Sequence, residues 1–235
     1  MRMFFSSDQI NNQFHLVDEE FRHIVKVLRH KKGDFIKIID GSGTVFTCRI
    51  ASIFKNSLLA SVISKENALQ PPYNLSIAIA PTKQSSRFEW FLEKAVEIGI
   101  HSIIPIITKR SEKFRIKADR MQKIMVSAMK QSENTFMPEI HPITSYDEFL
   151  QKPFKDYQKF IAFVEESTSI LSSKISGKNL LVAIGPEGGF TSDEVFDAKM
   201  VQFTPVSLGH NRLRTETAGV AVCQIVKTSF EFLDI

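Results

Sequence analysis

Apolar positions change their period near residue 70. Before it, Phe21, Ile24, Val25 and Leu28 recur at i, i+3, i+4 and i+7 behind Asp18, which predicts one apolar helical face with Asp18 as its cap. β-rich runs follow over 35–39, 45–50 and 58–63, the first two joined by the turn sequence Asp40-Gly41-Ser42-Gly43, and a small, largely antiparallel barrel accommodates them. Gln70, Pro71 and Pro72 then favour an extended connector. Beyond it, continuously apolar strands over 75–80, 103–107, 160–164, 180–184 and 203–207 alternate with helices over 86–98, 118–132, 167–175, 192–199 and from 215 onward. A linker is expected near Pro142. This alternation predicts an α/β architecture whose mainly parallel sheet is covered on both faces, with domains over 1–70 and 73–235.

Composition narrows the class. With 43% hydrophobic and 24% charged residues, the 235-residue chain has the balance of a globular protein rather than a disordered or fibrous one. Residues 1–5 hold one arginine and an apolar run too short for a signal peptide, and no stretch approaches the roughly 20 apolar residues of a bilayer span, so a cytoplasmic protein is expected. Cys48 and Cys223 lie in separate apolar-periodic segments and are expected as buried thiols. The histidines show no ligand-like pairing, and no metal is expected. A net charge of +4 permits an acidic partner without requiring one. Its placement says more: Arg22, Lys26 and Arg29 recur at near-helical spacing, and His30, Lys31 and Lys32 extend the run to Gly33. These cations read either as a phosphate-binding face or as a solvated charged one.

Two motifs carry candidate chemistry. In Leu180 to Thr191 a buried strand runs into Gly185, Pro186, Glu187, Gly188 and Gly189, after which Thr191 and Glu194 make a capping box. Glycines allow close main-chain approach to a ligand at the carboxyl end of a strand; a tight strand-to-helix turn would use them equally well. The segment is neither a Walker A loop nor a GxGxxG fingerprint. The second motif runs from Val206 through Leu208, Gly209, Asn211, Arg212, Leu213, Arg214, Thr215, Glu216 and Thr217 to Ala218. Thr215 is a candidate cap for the last helix, and Glu216 suits the positive end of its dipole. Arg212 and Arg214 are not required for capping and suit a phosphate or a base.

Gly-Pro-Glu-Gly-Gly-Phe followed by Leu-Gly and Leu-Arg-Thr-Glu-Thr-Ala resembles the RsmE family, bacterial 16S ribosomal RNA (uracil-N3)-methyltransferases of the SPOUT superfamily. The likeness spans nearly the whole chain. It includes residues 23–33, similar to that family's PUA-like RNA-binding barrel, and Lys83, Arg87, Glu93, Lys94, Ala95, Glu97, Gly99, Pro105, Arg110, Ser111 and Lys113. The resemblance implies an α/β fold with a C-terminal trefoil knot, an N-terminal PUA-like β-barrel and a homodimer. It also implies S-adenosyl-L-methionine held by Ile184, Gly185, Pro186, Glu187, Gly188, Gly189, Leu208, Gly209, Leu213, Arg214, Thr215, Thr217 and Ala218. The residues expected at RNA are Arg2, Arg22, Lys26, Arg29, Lys31, Lys32, Lys83, Arg87, Arg110 and Arg212. The chain departs from the family pattern at Asn211 and Arg212, where an arginine is displaced by one position, and at Lys130 and Asn134.

Uridine N3 is a poor nucleophile while protonated, so methylation needs a proton acceptor and stabilisation of the charge left behind. Arg214 is the expected stabiliser and Glu216 the candidate base, its dipole role being an equal alternative. Phe88, Phe91 and Leu92 read as helix core, with Trp90 ambiguous. Val222, Ile225 and Val226 read as core or, by resemblance, as dimer contacts. Competing readings are an inactive RNA-binding assembly protein of the same fold, and a nucleotide-dependent α/β enzyme that lacks its phosphate fingerprint.

Overall fold

The structure, a computed structural model, describes residues 2–112, 117–163 and 168–231. Lys113, Val164 and Ser167 lie outside the described residues. The chain divides into two compact units, Met1–Gln70 with Val126–Met137, and Pro71–Met125 with Pro138–Ile235.

The first unit is a six-stranded curled sheet in the order β1 (Met3–Phe5), β4 (Phe35–Ile39), β5 (Thr44–Ile53), β6 (Ser57–Asn67), β3 (Gln13–Val17), β2 (Gln9–Ile10). All its pairings are antiparallel except β1 with β4. Phe21 and Ile24 are buried in its core, with Val25 and Leu28 packed against it, which realises the foreseen apolar face. The backbone differs from expectation. One turn, α1 (Asp18–Phe21), passes into a π-helical stretch, Arg22–Val27, ending at Leu28 instead of Gly33. Asp18 is the first helical residue at φ 48° and Val17 precedes it as the cap, without a side-chain bond. Residues 126–137, expected with the second domain, belong here. The Gly43 amide donates to the Thr135 carbonyl and Met137 to Gly41. A Cβ on Gly43, at φ 94°, would stand 2.3 Å from the Phe136 ring.

The second unit holds a parallel sheet in the order β10 (Thr144–Ser145), β8 (Ser102–Ile107), β7 (Asn74–Ile79), β12 (Asn179–Ile184), β11 (Gln158–Ala162), β13 (Thr204–Val206), with β9 (Glu139–Ile140) also on β8. Because β12 lies between β7 and β11, both its faces are covered: Leu180, Val182 and Ile184 enter one core while Leu181 and Ala183 enter the other. On the first face lie α2 (Ser85–Ile98) and α6 (Thr215–Glu231), and on the second α4 (Tyr146–Gln151) and α5 (Ser192–Met200). The helix α3 (Ala118–Ser132) has its expected bounds. The expected linker near Pro142 instead contains β9, β10 and α4, the last opened by a Ser145–Glu148 capping box.

The helix expected over 167–175 is only a 3-10 turn, Leu171–Ser173. Its main chain is satisfied elsewhere: Leu171 donates to the Ser207 carbonyl, the Ser173 hydroxyl to Ile170, and the Gln158 side chain bonds Lys174, Ser176 and Gly177. Serine hydroxyls and a long amide compete with helix formation in this way.

Phe88, Phe91 and Leu92 are fully buried and Trp90 is exposed. Val222 and Val226 are also fully buried in this chain's core, and Ile225 packs against it partly buried. Both cysteines are free and buried, and burial pushes their thiols up to about 12. No described helix is long and apolar enough to cross a membrane, and no described cluster of three His, Cys, Asp or Glu is arranged to hold a metal.

The contact between α2 and α6 depends on Gly219. A Cβ there would meet Phe91 ring carbons at 2.4 and 2.5 Å. Gly219→Ala is expected to destabilise the fold by about 1–3 kcal/mol through overpacking. Urea unfolding checks this; stability equal to the parent protein would contradict it.

Candidate functional site

A cavity of about 210 Å³ opens at the carboxyl ends of β11, β12 and β13. That is where a parallel sheet presents loops able to converge on a ligand. Of the residues expected at the cofactor, Ile184, Gly185, Pro186, Glu187, Gly189, Leu208, Gly209, Leu213, Thr215 and Ala218 line it. Gly188, Arg214 and Thr217 are not among its lining residues. Ala162 and Phe163 at the end of β11 also line the cavity, as do Phe190, Val206 and Asn211. Phe190, Val206 and Asn211 belong to the two motifs; Ala162 and Phe163 were not foreseen, because strand order is what sets β11 beside β12, and no motif marks it.

The loop after β12 is held from many directions. Ile184 accepts from the Ala80 amide, and Pro186 from the Gly189 amide at 2.8 Å. The Thr215 hydroxyl donates to the Gly185 carbonyl at 3.0 Å, Arg212 Nη2 to Glu187 at 2.8 Å, and Arg110 Nη1 to Gly188 at 2.8 Å. Thr215 is therefore a helical residue reaching back to the loop instead of a cap; the Arg214 carbonyl starts α6 by accepting from the Ala218 amide. Gly189 and Gly209 adopt φ 69° and 126°, a region glycine enters without steric cost, and a Cβ at either would stand in open space.

Behind this loop, Glu194 is 2% exposed. Its Oε1 accepts from the Lys109 amide at 2.7 Å, and its Oε2 from the Thr191 amide and hydroxyl at 2.7 and 3.0 Å. The foreseen capping box of α5 thus also pins the Thr108–Ser111 turn that carries Arg110. The Tyr146 hydroxyl donates to the Glu194 carbonyl, and burial, then the neighbouring Glu194 carboxylate, push that phenol upward.

Glu216 is 6% exposed and absent from the cavity wall. Its Oε1 lies 3.7 Å from Arg87 Nε, and its buried Oε2 has no hydrogen-bond partner among the described residues. Arg214 is exposed beside it in sequence.

The ten cations expected at RNA fall into two groups. Arg2, Arg22, Lys26, Arg29, Lys31 and Lys32 are all exposed in the first unit, Arg2 within 3.3 Å of the His23 ring. Lys83, Arg87, Arg110 and Arg212 are in the second unit and each has a protein partner: Glu112, Glu216, Gly188 and Glu187 respectively.

Removing the Glu194 carboxylate should cost about 2–4 kcal/mol, the sum of a lost cap and an orphaned buried amide. Thermal or urea unfolding of Glu194→Ala measures it; a loss under 1 kcal/mol would contradict the proposed pinning.

Family models match in two places: an RNA methyltransferase domain over residues 69–227 and an RNA methyltransferase PUA domain over 16–63. The ribosomal RNA small subunit methyltransferase E of Rickettsia conorii is 34% identical, with 92% of this chain and 90% of the relative covered. A crystal structure of a probable rRNA methyltransferase from Porphyromonas gingivalis superposes with a TM-score of 0.93 at 39% identity, covering 98% of this chain and 99% of that one. That of the Neisseria gonorrhoeae ribosomal RNA small subunit methyltransferase E, bound to S-adenosyl methionine, gives 0.88 at 29% identity over 99% of both chains. Motifs, sheet order and these likenesses agree, and the chain belongs to the ribosomal RNA small subunit methyltransferase E (RsmE) family of RNA methyltransferases.

Proposed function

We propose that this protein methylates N3 of a uridine in 16S ribosomal RNA within the small subunit, using S-adenosyl-L-methionine, as a cytoplasmic homodimer with a trefoil-knotted C-terminal unit and an RNA-binding unit over 1–70. The observation that carries the reading is the convergence of the 184–190 and 206–218 segments on one cavity. Its walls suit an adenosyl group: apolar side chains of Phe163, Leu208 and Leu213 beside main chain kept bare at Gly189 and Gly209. The Neisseria relative's bound donor supports the same assignment.

The donor supplies an electrophilic methyl group on a sulfonium. The chain's part is to align N3 with it, exclude water and manage one proton. Arg214, exposed where the last loop enters α6, supplies positive charge to the uracil carbonyl oxygens as N3 loses its proton. Glu216 takes that proton on its unpartnered Oε2. A second reading of Glu216 is favoured by its ion pair with Arg87 and its absence from the cavity wall: it would then hold α6 in place without touching the base.

The six exposed cations of the first unit bind phosphates, and Lys83, Arg87, Arg110 and Arg212 face the RNA from the second.

Ribosomal RNA from cells with and without the gene gives the primary test. N3-methylation blocks the pairing edge, so one reverse-transcription stop in 16S RNA should disappear on deletion; an unchanged profile would defeat the reading. Arg214→Ala should lower turnover roughly 100-fold or more with donor affinity changed far less, the pattern expected for a group acting in the transition state. Glu216→Gln separates its two roles by pH: loss of a base abolishes the rise of kcat with pH, whereas a positioning role lowers kcat equally across the profile.

A further inference from the structure

Arg110 and Arg212 come from different loops, after β8 and after β13, yet end on neighbouring carbonyls of one turn, Gly188 and Glu187, each at 2.8 Å. Each bond uses one N–H of a guanidinium that has five. Both side chains are exposed, and among the described residues neither forms an ion pair with a carboxylate. Two like charges therefore stand on one short turn, with no carboxylate of the described residues within ion-pair distance of either.

Stapling the turn does not call for that arrangement. A neutral hydroxyl, that of Thr215, does the same work at Gly185. The arginines are also oriented as well as anchored. A Cβ at Gly188 would press on Arg110 at 3.3 and 3.4 Å, so the glycine lets the arginine stem lie flat on the loop. Arg212 lines the cavity and Arg110 does not, which puts the pair at the cavity's rim. Free N–H groups on two fixed guanidiniums match a group with several shared anionic oxygens, and phosphate is that group in RNA.

We propose that Arg110 and Arg212 form one two-guanidinium subsite for a single phosphodiester of the RNA strand whose base enters the cavity. The inference rests on the RNA methyltransferase reading above and adds to it the identity of the bound group. The competing oxyanion is the carboxylate of the methyl donor; exposure of both side chains at the rim favours the strand.

Arg110→Gln, Arg212→Gln and the double variant remove charge while keeping an amide donor for each carbonyl. RNA affinity is read by fluorescence anisotropy with a short uridine-containing oligoribonucleotide, and donor affinity by calorimetry. Each single variant should lose roughly tenfold in RNA affinity, as expected for a charge-assisted bond, and at least threefold more than it loses in donor affinity. The salt dependence of the double variant should fall by about 0.7 in log–log slope, the value for one single-strand phosphate and not two. A neutral methylphosphonate placed at successive positions needs no variant: one position should weaken the parent protein and leave the double variant unaffected. The proposal is overturned if donor affinity falls while RNA affinity holds, which assigns the carboxylate, or if neither changes, which leaves a structural staple. Failure of the parent protein to bind RNA or donor at all would instead defeat the underlying reading.

Discussion

Four successive carbonyls, Gly185 to Gly188, pass through a loop that belongs to neither helix nor strand, and each accepts a hydrogen bond from a different donor. These are the Thr215 hydroxyl, the Gly189 amide, Arg212 and Arg110. A main-chain group near the core that loses water must be paired, and irregular backbone cannot pair itself. The start of α6 pairs the buried Gly185 carbonyl, while the turn after β8 and the loop after β13 reach the carbonyls of the exposed residues Gly188 and Glu187. Glu194 adds a second tie, joining α5 to the turn after β8. The cavity is thus the product of long-range closure more than of its own glycines.

Much of this was legible in the residues. Continuous apolar strands at 75–80 and 180–184 foretold burial on both faces, because only a sheet covered on both sides hides every position of Leu180 to Ile184. The Thr191–Glu194 spacing gave the capping box, since its chemistry is local. What failed was what depends on distant partners. The segment expected as a helix over 167–175 fails to form one because its described backbone groups pair elsewhere: the Leu171 amide donates to the Ser207 carbonyl, and the Lys174 carbonyl accepts from the Gln158 side chain. The π-helical stretch at Arg22–Val27 keeps the expected residues buried with a different backbone path, so periodicity reported the face and not the geometry. Ala162 and Phe163 escaped notice because their role comes from strand order alone.

The cationic residues show the same division. Six of them lie exposed in the first unit, five of which sequence spacing had placed together. Arg110 and Arg212 are brought together only by folding, and the partners that bring them are carbonyls of the cavity loop. The loop that shapes the cavity is therefore also what orients two positive charges at its rim. Arg87 also lies 3.7 Å from the buried Glu216 carboxylate, a pairing that links α2 to the start of α6.

All of this depends on the loop between β12 and α5 shaping a pocket for the methyl donor. Titration calorimetry of the folded protein with S-adenosylmethionine addresses that pocket directly. Saturable heat with one donor bound per chain is the predicted result; no heat of binding from properly folded protein would contradict it.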